Sequence, residues 1–331
     1  MNSNSWRRRR FGQALAALPL AAAWRGTSAQ SVDAFPNRPI RIVVPFAPGG
    51  PTDLMARAVG KSMQQIMGQT VIVENKPGGG GVLGMGDIAR APADGYSLVF
   101  PSIFAVTNPA LMPDYPFDTA KVFSGITVVG YVPHVLVVNA EFPAKTLAEF
   151  VAVAKQKPDS LSYGSTGVGT SAHLEGAMFA NRAGIKVTHV PYRGAAPALQ
   201  DLLGGRIQFI FLDIPSALSQ VRAGKLRVLG AATGQRTDVL PDVPTIAEQG
   251  YPGFDVQGWY GLLVRSGTPA PVIDALYRGV KAALTTKDVQ DLFRAQGIVV
   301  GGMPPPQFDT LIRGDLAKWK QTITELGITM Q

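Results

Sequence analysis

The residues with the most chemical capacity in this 331-residue chain gather in two glycine-rich stretches. In Gly164-Ser165-Thr166-Gly167-Val168-Gly169-Thr170-Ser171-Ala172-His173, small residues free the backbone while Ser165, Thr166, Thr170 and Ser171 add hydroxyl donors. A nest of N–H and O–H donors leading into a helix suits a carboxylate or another polar ligand, the alternative being a structural loop. In Pro45-Phe46-Ala47-Pro48-Gly49-Gly50-Pro51-Thr52-Asp53, Gly49 and Gly50 let backbone N–H groups approach a ligand with no Cβ in the way. The helix expected from Asp53 aims its positive end at the same place, and Thr52 or Asp53 is available as its cap; the bland reading is a plain turn.

These stretches are not nucleotide or nucleophile motifs. No Gly-Lys-Ser/Thr closes a P-loop. Ala172 stands where a dinucleotide fingerprint needs its third glycine, and no serine sits in a G-x-S-x-G elbow. Further candidates lie at other strand-to-helix junctions. Tyr192 is a possible aromatic wall, and Arg193 pairs either with a ligand carboxylate or with a surface acid. Asp213 either accepts from a ligand hydroxyl, amine or water or caps the following helix. His134, His173 and His189 show no metal-ligand spacing and read as structural, with His173 the best placed for a cleft role. Catalysis would have only His173 and Asp213 to draw on, so no enzyme, metal or cofactor is expected, although an enzyme on carboxylate substrates stays a rival reading.

Short β-branched runs alternate with helical stretches, the pattern of α/β architecture with parallel sheets. Ile40–Val44, Val71–Glu74 and Ser97–Phe100 alternate with helices near 53–67 and 82–90, one half of a doubly wound sheet. The pattern restarts with strands at 161–164, 187–190, 207–211 and 226–229 and helices at 171–183 and 195–203. Val135–Val138 reads as a crossover strand, and Tyr260–Val264 as its counterpart. Helices near 271–285, 287–296 and 305–326 then return to the first lobe. The expectation is two lobes, 35–139 plus 259–331 and 140–258, with hinge strands near Val138–Asn139 and Gly258–Tyr260 and a cleft between.

The amino terminus reads as an export signal. Arg7 to Phe11 is basic, a short apolar run reaches Ala23, and Thr27-Ser28-Ala29 offers a cleavage site. Arg8-Arg9-Arg10-Phe11 fits a twin-arginine core, an Arg-rich Sec signal being the alternative. The full chain has 31 Lys+Arg against 23 Asp+Glu; removing the five arginines before Ala29 leaves 26 against 23, a net +3. That small excess, with no basic stripe, argues against nucleic-acid binding. The absence of cysteine excludes disulfides and thiolate metal sites. A soluble, monomeric mature protein is expected.

Phe35-Pro36-Asn37-Arg38-Pro39-Ile40 through Pro45-Phe46, with Pro-Gly-Gly-x-x-Asp at 48–53, resembles the start of the Bug family. These are the TctC-like substrate-binding proteins of tripartite tricarboxylate transporters. The likeness continues through Val73–Gly78, Ala93–Tyr96, Tyr163–His173, His189–Gly194, Ala223–Arg227 and Leu240–Thr245, across the mature chain and in order. It implies a type II periplasmic-binding-protein fold and a periplasmic location. It also implies a small organic acid held in the inter-lobe cleft by backbone N–H groups, hydroxyls and water. Carried over residue by residue, the contacts would be Phe46, Ala47, Gly49, Gly50, Thr52 and Ser102 from the first lobe. From the second they would be Ser165, Thr166, Gly167, Gly169, Thr170, Ser171 and Asp213. The partners would be membrane transporter subunits, or a membrane kinase if the protein senses rather than transports. Gly79 replaces a small residue usual in the family, a change far from this site.

Overall fold

A computed structural model of the chain describes residues 35–256 and 258–328, so the signal read over 1–29 lies outside the described residues. Ile40–Val44 (β1) lies between Val71–Asn75 (β2) and Ser97–Val99 (β3), both parallel to it; Ile42 is opposite Val73 and Leu98. Parallel strands need long crossovers, and Pro51–Met67 (α1) and Val82–Arg90 (α2) supply them. The first helix begins at Pro51 with Gly50 as N-cap, two residues before the Asp53 start expected from sequence, and neither Thr52 nor Asp53 is its cap. Proline suits a first helical position because its fixed φ is already helical and its missing N–H would have no partner there.

After Phe104–Leu111 (α3) and Thr119–Val122 (α4), the chain forms Phe123–Val132 (β4) and His134–Asn139 (β5). Here the expectation needs correction. The long β4 belongs to the first sheet, and β5, which contains the expected first-lobe strand Val135–Val138, belongs to the second. The first crossing is therefore at Pro133, not near Val138–Asn139. Proline cannot donate to a ladder, so one continuous extended run is cut there into two strands in different sheets. Glycine hid β4 from pattern reading. A Cβ on Gly125 would sit 2.7 Å from the Phe308 ring, and one on Gly130 2.8 Å from Met55.

The second sheet has the order β7-β6-β8-β5-β9, formed by Ser162–Ser165 (β6), Thr188–Pro191 (β7), Phe209–Asp213 (β8) and Leu226–Ala231 (β9) around β5. β6 is parallel to β7 and β8, whereas β5 is antiparallel to β8 and β9. Leu147–Gln156 (α5), Ser171–Ala183 (α6), Ala195–Leu203 (α7) and Ile214–Arg222 (α8) connect these strands. Gly258–Arg265 (β10) returns to the first sheet, antiparallel to β3 and β4. Ala270–Leu284 (α9), Lys287–Gln296 (α10), the short Val299–Val300 (β11) and Pro305–Glu325 (α11) complete that half, as the helical periodicity predicts.

One apolar cluster joins residues of both sheets, including Val43 and Val99 with Leu136 and Phe209. Trp259 anchors the second crossing: its ring meets Phe308 edge-on at 5.1 Å, and its Nε1 donates to Asp315 at 2.8 Å. Burial of each such aromatic stabilises by about 2–3 kcal/mol. Both glycine-rich stretches thus hang from the carboxyl ends of parallel strands, the usual place for ligands in open α/β sheets.

Candidate functional site

The first loop runs from Pro45 to Gly50, between β1 and α1. Gly49 has φ +93°, a left-handed conformation that glycine adopts without strain. Its N–H donates to Asp53 Oδ2 at 3.1 Å, while Asp53 Oδ1 accepts from Arg57 Nε at 2.9 Å and from Asn75 Nδ2 at 3.0 Å. Burial alone pushes the Asp53 carboxyl up, but the hydrogen bonds from Arg57, Asn75 and Gly49 outweigh it and hold the group below the ordinary carboxylate range. Asn75 Nδ2 also donates to the Phe46 carbonyl at 3.0 Å, and the Phe46 ring packs edge-on against Phe104 at 5.2 Å. The turn is thus held in shape by its own carboxylate. Asp53 also sits in the first turn of α1, where its charge takes up part of the helix's positive end. Ala47 and Gly49 are exposed, Phe46 and Gly50 half-buried and Thr52 buried.

The second loop is built without charge. Thr170 Oγ1 donates to the Gly167 carbonyl at 2.7 Å, and the fully buried Ser165 hydroxyl donates to the same carbonyl at 3.1 Å. Gly167 N–H returns a bond to Ser165 Oγ, and His189 Nε2 lies 2.7 Å from it. With the serine hydrogen on Gly167, His189 Nε2 is the donor. Two of the four hydroxyls expected as ligand donors therefore shape the loop. Among the described residues Thr166 and Ser171 make no side-chain hydrogen bond, which leaves them available. Ser171 Oγ faces the second crossing, 2.9 Å from where a Cβ on Gly258 would lie.

Beneath the loop the rings of Tyr163, His189 and His173 stack. Tyr163 and His189 are 4.8 Å apart, and His189 and His173 are 3.9 Å apart and nearly parallel at 7°. Burial pushes His173 down to about 4. Burial and the neighbouring imidazole push His189 down to about 3. Both rings are neutral at pH 7. His173 Nδ1 accepts from Gly169 N–H at 3.2 Å, which fixes its proton on Nε2 and makes it a pillar of the loop.

Both loops pack on α3, which sequence reasoning missed: Phe104 meets Phe46 of the first, and the helix bonds to the second and to the separate turn at Gly79–Gly81. Thr107 Oγ1 donates to the Gly169 carbonyl at 2.8 Å, and Asn108 Nδ2 donates to the Gly80 carbonyl at 2.9 Å. Gly169 has φ +77°, and a Cβ there would lie 2.7 Å from Asn108 Oδ1 and 2.9 Å from Leu111. The second loop therefore seats directly on a helix of the first half. The signal available in the sequence was a polar Thr-Asn pair inside the otherwise apolar Phe104-Ala105-Val106-Thr107-Asn108-Pro109-Ala110-Leu111.

The remaining candidates divide. Ser102 bridges Tyr260 of β10 and lies at this junction, half-buried. Asp213 ends β8, and its Oδ1 accepts from Ser216 N–H at 2.9 Å, so the capping alternative describes that oxygen. Tyr192 donates its hydroxyl to Asp201 Oδ2 at 2.8 Å and its N–H to the Ser165 carbonyl, so it supports the loop from behind. Arg193 is exposed and, among the described residues, makes no ion pair with a surface acid. A depression of about 320 Å³ lies beside Gly49, lined by Asp53, Arg57 and Lys61 but by no residue of the second loop.

Residues 55–328 match the tripartite tricarboxylate transporter family receptor. The chain is 35% identical to Protein BugT of Bordetella pertussis over 96% of this chain and 98% of that one. Among solved structures, an R. palustris protein with adipate superposes with TM-score 0.84 at 31% identity, covering 89% of this chain and 99% of that one. MatC of Rhodopseudomonas palustris with bound malate gives TM-score 0.81 at 32% identity, covering 87% of this chain and all of that one.

Proposed function

Since the chain belongs to the tripartite tricarboxylate transporter receptor family, whose members are periplasmic solute-binding proteins and not enzymes, we propose that it captures a small organic acid between its two glycine-rich loops for uptake by a transporter of that type. The observation that carries the reading is that both loops pack on α3, through Phe46–Phe104 and Thr107–Gly169. Each starts at the carboxyl end of a parallel strand, each opens a helix, and Thr107 and Gly169 bring the two halves into contact. Backbone N–H groups and the hydroxyls of Thr166 and Ser171 supply donors without a buried arginine. A carboxylate suits such a site because helix N-termini and turn N–H groups concentrate positive potential.

Capture works by population shift: a ligand that contacts both loops binds the closed arrangement better and draws the protein into it. Ser102 and Phe46 belong to the first half of this site, and Thr166, Gly167, Ser171 and Asp213 to the second. Adipate and malate are the acids to try first, because similar proteins are recorded with them. A thermal-shift screen of mono-, di- and tricarboxylates tests the proposal, since a ligand of the folded state raises the melting temperature. A shift with at least one acid, saturating with concentration, is expected; a flat response across the panel overturns it.

A further inference from the structure

Resting on the carboxylate reading above, we propose that His134 is a further ligand contact of the cleft, donating from Nε2 a charge-assisted hydrogen bond to a ligand carboxylate while the buried Glu175 holds its other ring nitrogen. His134 is the first residue after the crossing at Pro133, and it lies directly opposite Asp213 in the β5–β8 pairing. β5 runs antiparallel to β8, so its first residue occupies the same sheet edge as the carboxyl end of β8. β6 is parallel to β8 and ends at Ser165, so the glycine-rich loop leaves that edge too. The histidine thus stands at the edge from which a ligand would be held.

Glu175 lies four residues beyond Ser171 on α6, hence on the same helix face. Its Oε2 is 2.7 Å from His134 Nδ1, and its side chain is fully buried, against 8% exposure for that of His134. The other carboxylate oxygen, Oε1, is buried and has no hydrogen-bond partner among the described residues. A buried carboxylate with one empty oxygen is costly, and packing alone gives no return for it. Its effect is electrostatic: burial pushes the imidazole down, but the adjacent carboxylate outweighs this and raises His134 above an ordinary histidine. Nε2 of His134 has no hydrogen-bond partner among the described residues, and 8% of its side chain remains exposed. The Glu175 pairing thus biases this donor towards its cationic form, whereas the other two imidazoles, His173 and His189, are held neutral by burial.

The charged and titratable groups around His134 come from three of the four neighbouring elements. Glu175 on α6 and Asp213 on β8 both favour its cationic form. Tyr260 on β10 keeps its proton, because burial and the same two acids push its phenol up. The β9 side contributes Ala231 and Ala232 and no charge. Protonated His134 thus relieves two acids that would otherwise repel an incoming anion.

Isothermal titration of the full-length folded protein with adipate, malate and the acids of the screening panel tests this, between about pH 6 and pH 9, where the added acids themselves stay ionised. Wild-type affinity should fall as pH rises through the His134 transition. His134→Asn and Glu175→Gln should each weaken binding by roughly tenfold or more at pH 6, the usual scale for a lost charge-assisted hydrogen bond. In Glu175→Gln the pH at which affinity falls should move down towards that of a free imidazole. Circular dichroism melting checks folding, and the near-isosteric Glu175→Gln keeps the test open if His134→Asn unfolds. Binding by wild type that both folded variants reproduce, with the same pH profile, overturns the inference and leaves the carboxylate reading intact. Failure of wild type to bind any acid overturns both.

Discussion

The Pro45–Gly50 turn is braced by charge, whereas the Ser165–Thr170 turn is braced by neutral groups. In the first, one carboxylate, Asp53, collects Gly49, Arg57 and Asn75. In the second, the Gly167 carbonyl collects two hydroxyls, and two neutral imidazoles support Ser165 and Gly169 from below. The surroundings explain the contrast. The first turn is open to solvent at Ala47 to Gly49 and its cation Arg57 is half-exposed, so only the Asp53 carboxylate is desolvated, and three hydrogen bonds offset that cost. The second is packed between α3 and the Tyr163–His189–His173 stack, where an unpaired charge would be expensive. Similar glycine-rich sequences at equivalent places therefore carry different sensitivities to substitution, acid and salt.

The sharpest way to break the comparison is Gly169→Ala. The substitution puts a Cβ 2.7 Å from Asn108 Oδ1 and 2.9 Å from Leu111 on a residue with φ +77°. Left-handed strain and overpacking add up to roughly 2 kcal/mol or more. Gly49→Ala meets no atom within 4 Å and carries only the strain of φ +93°. Thermal unfolding should show a clearly larger loss for Gly169→Ala, together with at least tenfold weaker ligand binding. Equal losses at the two positions would mean that the second loop does not seat on α3.

Acid should separate the loops next. The native pKa values of His173 and His189, about 4 and about 3, lie below the ordinary imidazole value. Between about pH 6.5 and those values the unfolded chain binds protons that the folded one refuses. Stability they contribute is complete above pH 6.5 and is lost as pH falls, with a slope of up to about 1.4 kcal/mol per pH unit for each ring. Asp53 is depressed too, so its contribution persists until pH falls below the ordinary carboxylate range. Denaturant unfolding at pH 7, 5.5 and 4.5 should show the early loss, and His173→Gln should flatten it. Asp53→Asn should leave that early window unchanged while costing about 1 kcal/mol at pH 7, since its partner Arg57 is half-exposed and screened by solvent.

How much of this was legible in the sequence depends on how far apart the partners lie. Both glycine-rich loops, the alternating elements and the three C-terminal helices follow from local pattern, because turn residues and helical periodicity act over a few positions. The β4 strand did not, since Gly125 and Gly130 replace the side chains that would have marked it. Asp213 carried a capping alternative from the start, and the cap is local. The pairs Thr107–Gly169 and His134–Glu175 are 62 and 41 residues apart and join different elements. No spacing rule connects such residues, because tertiary packing alone brings them together. Loop-shaping hydroxyls and those left without a hydrogen bond among the described residues are likewise identical in sequence; Ser165 and Ser171 differ only in what the fold sets beside them.

The smallest expected effect is also the most direct measure of how the halves are joined. Thr107 is fully buried, and its hydroxyl has one acceptor, the Gly169 carbonyl at 2.8 Å. Thr107→Val keeps the shape and removes the donor, leaving that carbonyl without its partner across the junction. Such a loss costs about 1 kcal/mol. If the bond forms only when the loops meet, the cost falls on the closed state alone and emerges as roughly fivefold weaker ligand affinity with little change in the melting temperature of the ligand-free protein. Thr170→Val removes a bond made wholly within the second loop, to Gly167, and should lower the ligand-free melting temperature instead. Titration calorimetry and melting curves on the two variants separate these outcomes. A drop in ligand-free stability for Thr107→Val as large as that for Thr170→Val would mean that the α3–Gly169 contact is permanent, a fixed strut between the halves and not part of closure.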